Sequence, residues 1–378
     1  MRILFVQYTA DWTGPSKSVL LLARSLRPEH QPVVALPGTG PLVEALEREG
    51  IRHVSFPSIT KWQLPELARL VRREGFDLVY ANNTSSTSRI GFFAARLGGA
   101  AFVCHVRGMG WDRSWLELGY LRGADAVVAV SRACAESVRR FVRPGRLHVV
   151  YNGVPAGELA LPTGADRDRA RSELGLPEGA TIVISVAHVC ERKGQLHAVE
   201  AMRRVLPDLP DAHLCLVGSL EREPGYVAAV RARIREAGLE ERVHLTGFCT
   251  DTPALLRGSD IFLHTAVADP HPRAVVEAMA AGRPVVAFDV DGVSETVLEG
   301  ETGRLVPAGD DEALAEAIRD LLEAPEGAER MGAAGRRRVE TTFTEAAAAD
   351  GVRRVLESLG ASRRGDRRGG DPVEAARP

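Results

Sequence analysis

The chain has 378 residues, 45% hydrophobic and 26% charged, with a formal net charge of −2. That length exceeds what one compact core holds, so two domains are expected. Five scattered cysteines (Cys104, Cys134, Cys190, Cys215, Cys249) show no C-x-x-C spacing, which argues against a zinc site or disulfide framework and for reduced, mostly buried thiols in a cytosolic protein.

The opening M-R-I-L-F-V-Q-Y reads as a strand followed by polar residues, not as a signal peptide, and no apolar run reaches the length of a membrane span. Charge is unevenly spread. Residues 1–155 hold 20 Lys/Arg against 12 Asp/Glu, which leaves 28 against 38 for the rest. A basic first half suits an anionic partner, either a lipid surface or a phosphate-bearing acceptor; ordinary surface arginine fits as well. No nucleic-acid partner is expected.

Residues 3–6 form the first strand. A loop with Gly14-Pro15 leads into a helix over 18–23. Strands follow at 33–36 and 54–56, with a helix over 42–49 between them. Residues 64–74 read as an amphipathic helix with Arg69, Arg72 and Arg73. Lys61 and Trp62 before it make either a membrane contact or a solvated face. Residues 77–81 are a strand, and its polar exit loop carries Asn82 and Asn83, well placed for acceptor hydroxyls. Residues 102–105 are a strand ending in His105, followed by Arg107-Gly108. A lone histidine at a strand end is more often structural than catalytic. The aromatic stretch 111–120 suits an acceptor wall. Residues 126–131 run from a strand into a capped helix.

Residues 159–179 are polar and rich in Pro and Gly, with one helical piece over 167–174, and read as a linker region. Strands are expected at 182–186, 213–218, 243–248, 261–263 and 285–288. Helices are expected at 226–237, from Pro272 through Ala280, over 313–322, 333–339 and 344–359. Gly282 stops the second of these and Pro284 forbids its return. Asp291-Gly292 makes a turn, with Ser294 placed to cap another helix. Residues 361–378, rich in Arg, Gly, Asp and Pro, are expected to be disordered. Alternating strands and helices are the grammar of parallel sheets with crossover connections.

Ligands bind beyond the carboxyl ends of such strands. Here that rim holds Asp269, His271, Asp291, Gly292 and helix starts, which attract phosphate. Glu277 falls mid-helix among apolar neighbours, where a carboxylate is costly without donors. Sugar or ribose hydroxyls would supply them; a place on the solvent side would also satisfy it.

The run Asp269, seven residues, then Glu277-Ala278-Met279-Ala280-Ala281-Gly282-Arg283-Pro284-Val285-Val286-Ala287 resembles the nucleotide-sugar motif of the retaining glycosyltransferases of family 4. Asp291-Gly292-Val293-Ser294-Glu295, Gly300-Glu301-Thr302-Gly303, Tyr151-Asn152-Gly153-Val154 and Lys193-Gly194 match too. The resemblance reaches to about Leu359 and is stronger in the second half. It implies an α/β protein of the GT-B fold, two Rossmann-like doubly wound domains facing a central cleft. Residues 1–160 would form the acceptor domain and 161–343 the donor domain, with the helix over 344–359 crossing back onto the first.

The implied activity is transfer of a sugar from a nucleoside-diphosphate sugar (UDP-, GDP- or another) to an acceptor hydroxyl with retention. The acceptor would be a sugar, a lipid-linked glycan or a small molecule. No cofactor and no metal are implied, nor a general base, since the leaving phosphate takes the acceptor proton in this family. His105, Lys193 and Asp269 would carry catalysis. Gly14, His188, Arg192, Glu277, Asp291, Gly292, Val293 and Glu295 would hold the donor, with Asn82, Asn83 and Arg107 on the acceptor side. A cytoplasmic protein, at the inner membrane face if the basic domain docks there, is the expected setting.

Four positions depart from the family pattern. Asp269 stands for Glu, shorter by roughly 1.5 Å. His188 stands for an arginine that clamps the diphosphate, and is neither permanently charged nor bidentate. Pro15 replaces a glycine and lacks an N–H. His271-Pro272 replaces Phe-Gly. These changes keep a second reading open: a GT-B protein that binds a ligand or partner without turnover.

Overall fold

The computed structural model describes residues 1–83, 86–155, 163–249 and 251–368, the last eight of these by backbone alone. The chain forms two compact units, Met1–Tyr151 with Ala346–Pro378, and Asn152–Glu345. Compactness thus divides the chain at Tyr151, nearer the Y-N-G-V run than position 160.

The first unit is built on a parallel seven-stranded sheet. Its strands are β1 (Arg2–Val6), β2 (Gln31–Pro37), β3 (His53–Phe56), β4 (Leu78–Ala81), β5 (Ala101–Val106), β6 (Ala126–Ala129) and β7 (Leu147–Val149), in the order 3-2-1-4-5-6-7. Strand residues alternate between two apolar layers. Leu4, Val6, Val79, Phe102 and Val127 face one; Ile3, Phe5, Tyr80, Val103 and Val128 face the other. Both faces are buried, which explains why these strands read as near-continuous apolar runs. The last helix, Glu345–Arg368, places Val352, Val355 and Leu356 against the second layer. It continues past Leu359, so residues 361–368 are helical where disorder was expected; 369–378 lie outside the described residues.

The second unit has a parallel six-stranded sheet of β8 (Thr181–Val186), β9 (Ala212–Val217), β10 (Val243–Gly247), β11 (Ile261–His264), β12 (Val285–Phe288) and β13 (Gly303–Val306). Their order is 10-9-8-11-12-13, the doubly wound arrangement. In each sheet the strand order reverses beside the first strand. The reversal falls between β1 and β4 in one unit and between β8 and β11 in the other. In open parallel sheets such reversals are where ligand-binding crevices form.

Sequence reading passed over the helices Ser86–Gly98, Gln195–Val205 and Thr252–Gly258. It also placed a hydroxyl cap at Ser294. The short helix there is Val293–Thr296 with Gly292 before it, so Ser294 lies inside it and caps nothing. Asp291, at φ +43°, turns the chain early and starts the helix sooner.

Candidate functional site

In the second unit, the loops leaving β8 and β11 meet at the strand-order reversal. Lys193 follows β8 and Asp269 follows β11. Lys193 Nζ donates to Asp269 Oδ2 at 2.5 Å, and both side chains are largely buried. His264, the last residue of β11, brings Nε2 to 3.4 Å from the same oxygen. Burial pushes the Asp269 carboxyl up, but Lys193 and His264 outweigh it and hold the group well below the usual carboxylate range. His264 is itself kept below its ordinary pKa by burial. The cluster is therefore an ammonium, a carboxylate and a neutral imidazole.

Backbone contacts fix these loops to each other. Val267 N donates to Arg192 O at 3.1 Å, Thr265 Oγ1 to Lys193 O at 3.0 Å, and Arg192 Nη1 to Ala268 O at 2.9 Å. Gly194 sits at φ +64°, and a Cβ there would lie 2.1 Å from Thr265 O. Only glycine fits both the left-handed backbone and that approach, which lets Lys193 reach Asp269.

His188 is half-buried in the same loop. Its Nδ1 is buried with no hydrogen-bond partner among the described residues. Burial lowers its pKa, as do the charges of Arg222, Lys193 and Arg192. The position expected to carry an arginine thus holds a neutral ring beside three cations. Arg222, on the loop leaving β9, escaped the sequence reading; one arginine in a surface run E-R-E-P gives no signal.

Glu277 does not face solvent: its side chain is 17% exposed. Arg273 Nε, one turn earlier on the helix Arg273–Ala280, donates to its Oε1 at 3.0 Å. Arg273 Nη1 donates to Gly153 O at 2.9 Å, tying that helix to the Y-N-G-V run. Asn152 Nδ2 and His271 Nδ1 lie 3.4 Å apart, and His271 packs edge-on against Phe343. Arg273 was missed, although its i, i+4 spacing to Glu277 was readable.

Asp291 is the one non-glycine residue at positive φ among those described. Its Oδ2 is buried without a hydrogen-bond partner, and burial raises its pKa, helped by the nearby Asp269 charge. Gly292 N donates to Asp269 O at 3.2 Å. Val293 is fully buried, and Glu295 O accepts from Arg338 Nη2 at 2.8 Å. Asp269, Lys193, Asp291 and Gly292 are therefore brought together; Arg192 joins through the Asp269 loop.

The first unit's crevice holds a different set. Gln7 follows β1, and Asn82 follows β4. Gln7 Nε2 donates to Ser16 Oγ at 3.2 Å, and Asn82 Nδ2 donates to Gln7 Oε1 at 3.1 Å and Pro15 O at 2.7 Å. Arg107 Nε donates to Asn82 Oδ1 at 3.0 Å. His105, on β5, has Nδ1 2.8 Å from Tyr80 Oη and 3.2 Å from Arg107 Nη2. Asn82 is fully buried, and both its N–H bonds are engaged inside the unit. Asn83 offers its carbonyl to Ser88 Oγ and Cys104 Sγ. The rest of that polar loop, Thr84 and Ser85, lies outside the described residues. Gly14 opens the helix Gly14–Leu26, whose first turn accommodates Pro15 without loss of an intrahelical bond. A Cβ on Gly14 would meet nothing within 4 Å.

Among the described residues no group of three or more His, Cys, Asp and Glu is placed to hold a metal. No helix among them is long and apolar enough to cross a membrane.

Comparison with known proteins agrees with this fold. Residues 166–338 match the family model described as glycosyl transferases group 1, and 12–158 match that described as glycosyltransferase family 4. The chain is 30% identical over 315 residues to the GDP-mannose-dependent alpha-(1-6)-phosphatidylinositol monomannoside mannosyltransferase of Mycolicibacterium smegmatis, covering 78% of this chain and 80% of that protein. It is 30% identical over 262 residues to the alpha-maltose-1-phosphate synthase of the same organism, covering 66% and 67%. The crystal structure of Anabaena Alr3699/HepE in complex with UDP-glucose superposes with a TM-score of 0.84 at 25% identity, over 96% of this chain and all of that one. The chain belongs to glycosyltransferase family 4 and is a GT-B enzyme that takes its sugar from a nucleoside-diphosphate donor.

Proposed function

We propose that the enzyme transfers a hexosyl group with retention, without a metal, from a nucleoside-diphosphate hexose to a hydroxyl of a sugar, lipid-linked or small-molecule acceptor. The observation that carries this reading is the Lys193–Asp269 pair at the β8/β11 reversal, with Arg192 and Arg222 beside it. As the anomeric bond breaks, the diphosphate gains charge. Fixed cations aimed at that charge stabilise it without reorganising. Lys193 is the principal cation, with Arg192 and Arg222 offsetting the neutral His188. Asp269 contacts the donor sugar, and Glu277 holds the ribose hydroxyls. Asp291, Gly292, Val293 and Glu295 line the donor side. His105 contacts the transferred sugar and Gly14 helps hold the donor, with Asn82, Asn83 and Arg107 on the acceptor side. The leaving phosphate takes the acceptor proton.

UDP-glucose is the first donor to try, because the Anabaena neighbour was solved with it. A ligand that binds only the folded state raises the melting midpoint by mass action. UDP, GDP and ADP and their hexoses are titrated against thermal unfolding. A rise with one diphosphate and its sugar identifies the donor, and Glu277→Ala abolishes it. No rise with any of them favours binding of some other ligand without turnover. Anomeric configuration of the product, read by proton coupling, tests retention.

The setting we propose is cytoplasmic, with peripheral contact to an anionic bilayer. All five cysteines are free. Trp62 is 78% exposed with Lys61 stacked on it, and Leu97 and Leu116 are exposed close to Arg89 and Arg96. Sedimentation with phosphatidylglycerol vesicles tests this; equal recovery with neutral vesicles would count against it.

A further inference from the structure

We infer that Arg107 is a positioning residue that locks His105 into the tautomer with its proton on Nε2, so that the ring offers a donor, not an acceptor, at the end of β5. This rests on the reading of His105 as a contact to the transferred sugar.

The argument starts from what each group can do. A guanidinium only donates. Arg107 Nη2 lies 3.2 Å from His105 Nδ1, so that nitrogen must be the acceptor and must carry no proton. Tyr80 Oη lies 2.8 Å from the same nitrogen. Tyr80 is fully buried, and burial holds its hydroxyl protonated far above the ordinary tyrosine range. A protonated hydroxyl facing an unprotonated nitrogen donates to it. With two donors on Nδ1, the proton of the neutral ring sits on Nε2.

That Nε2 is buried and has no hydrogen-bond partner among the described residues, while the whole residue is 3% exposed. A buried donor left unmade is unusual and points to a partner supplied from outside. Sugar hydroxyl oxygens, with two lone pairs each, suit it. The charged and titratable groups that face the ring are Tyr80 and Arg107. Val128 on β6 pairs with His105 across the sheet, and the last helix meets this layer with Val352, Val355 and Leu356. Burial and the Arg107 charge both oppose protonation, so the ring stays neutral as well as singly oriented.

Arg107 is in turn aimed by the crevice. Its Nε donates to Asn82 Oδ1, and Asn82 is held by Gln7 and by the Pro15 carbonyl. The ends of β1, β4 and β5 are thus linked into one chain that finishes at His105 Nδ1. Tyrosine alone would not suffice: a hydroxyl can donate or accept, so either tautomer would satisfy it. The cation removes that ambiguity.

The test is nitrogen NMR of histidine-labelled full-length protein, with the His105 signal identified by its loss in His105→Gln. The expected wild-type pattern is a single neutral Nε2–H tautomer from pH 8 to pH 5.5. An Nδ1–H tautomer, or a mixture, overturns the inference, and this measurement needs no variant of Arg107 to fold. Arg107→Met should give mixed tautomers and a ring that protonates at higher pH, while Arg107→Lys, still a donor-only cation, keeps the wild-type pattern. An unchanged spectrum in Arg107→Met also overturns it. The functional arm uses UDP and UDP-glucose. Arg107→Met should weaken UDP-glucose by on the order of tenfold and leave UDP unchanged, and His105→Gln with Arg107→Met should be no worse than His105→Gln alone. Additive losses would mean that Arg107 acts on ligand by itself and would sink the positioning role. If wild type binds UDP-glucose no better than UDP, the sugar-contact reading fails while the tautomer result stands.

Discussion

The two crevices occupy equivalent places in two parallel sheets, yet they are built from opposite materials. The second unit's rim is ionic: Lys193, Asp269, Arg192, Arg222 and Asp291 crowd the strand ends. The first unit's rim is a relay of amides, hydroxyls and one imidazole, with Arg107 as its cation. Fixed charge suits a diphosphate that gains charge as a bond breaks. Oriented neutral donors and acceptors suit sugar hydroxyls, which must be discriminated by direction rather than by charge. The difference teaches that the same topology supplies a site but leaves its chemistry to about five side chains.

The largest expected effect is at the ionic rim. Lys193→Ala leaves Asp269 as a buried uncompensated charge, a change that typically costs about 3–5 kcal/mol. Urea unfolding should show that loss, and turnover should vanish with it. Adding Asp269→Asn should restore most of the stability and none of the activity. If Lys193→Ala is neutral in stability, the pair is not the buried ion pair described here.

Acidification comes next and separates histidine from carboxylate. His105 is held below its ordinary pKa in the folded state. Below about pH 6.5 the unfolded ring takes up a proton that the folded ring refuses. Its contribution is therefore intact above that pH and falls by about 1.4 kcal/mol per pH unit beneath it. His105→Gln should flatten the urea midpoint against pH between 6.5 and 5 by that one proton. The Asp269 pKa is lowered as well, but from a lower starting point: its contribution is complete above about pH 4, the unfolded value, and is lost as pH falls from there through its depressed folded pKa. Loss near pH 6 thus belongs to histidine and loss below pH 4 to the carboxylate.

At the nucleotide end, Arg273→Ala should weaken UDP binding by about tenfold through Glu277, with no further loss when Glu277→Ala is already present. His188→Arg should strengthen UDP binding by a similar factor, because a charge-assisted bond replaces a neutral ring. Calorimetric titration reads both. The smallest effect is Gly14→Ala. Its Cβ meets open space and the backbone is not left-handed, so stability should stay within about 0.5 kcal/mol. A drop in donor-sugar affinity in that variant would show that the glycine clears room for ligand.

Much of this was legible in the chain. Strands such as Ile3–Val6 and Val285–Phe288 are buried on both faces and so announce themselves as apolar runs. Asp269, Glu277 and Lys193 were readable because their spacing belongs to a family motif. What escaped was contact across distance. Nothing in the sequence pairs Lys193 with a residue 76 positions away, or aims Gln7 at Asn82. The helix Ser86–Gly98 hid because Ser, Thr and Gly interrupt its apolar stripe. Glu277 read equally as solvent-facing or as buried against donors, and only its contact with Arg273 decides between them. Departures such as His188 were visible as letters, but the presence of Arg222 beside it depends on where another strand's loop ends.

One feature of the fold bears on how the protein is made. The last helix belongs to the first unit, and the second unit is threaded between that helix and the rest. A ribosome delivers residues 1–151 early, yet Ile3, Phe5, Tyr80 and Val128 then await Val352, Val355 and Leu356. The second unit can complete itself while the first still exposes an apolar layer. The last unit to finish is therefore the first to be synthesised, and a stop codon between positions 346 and 352 strands a protein whose second unit is sound and whose first invites chaperones and proteases.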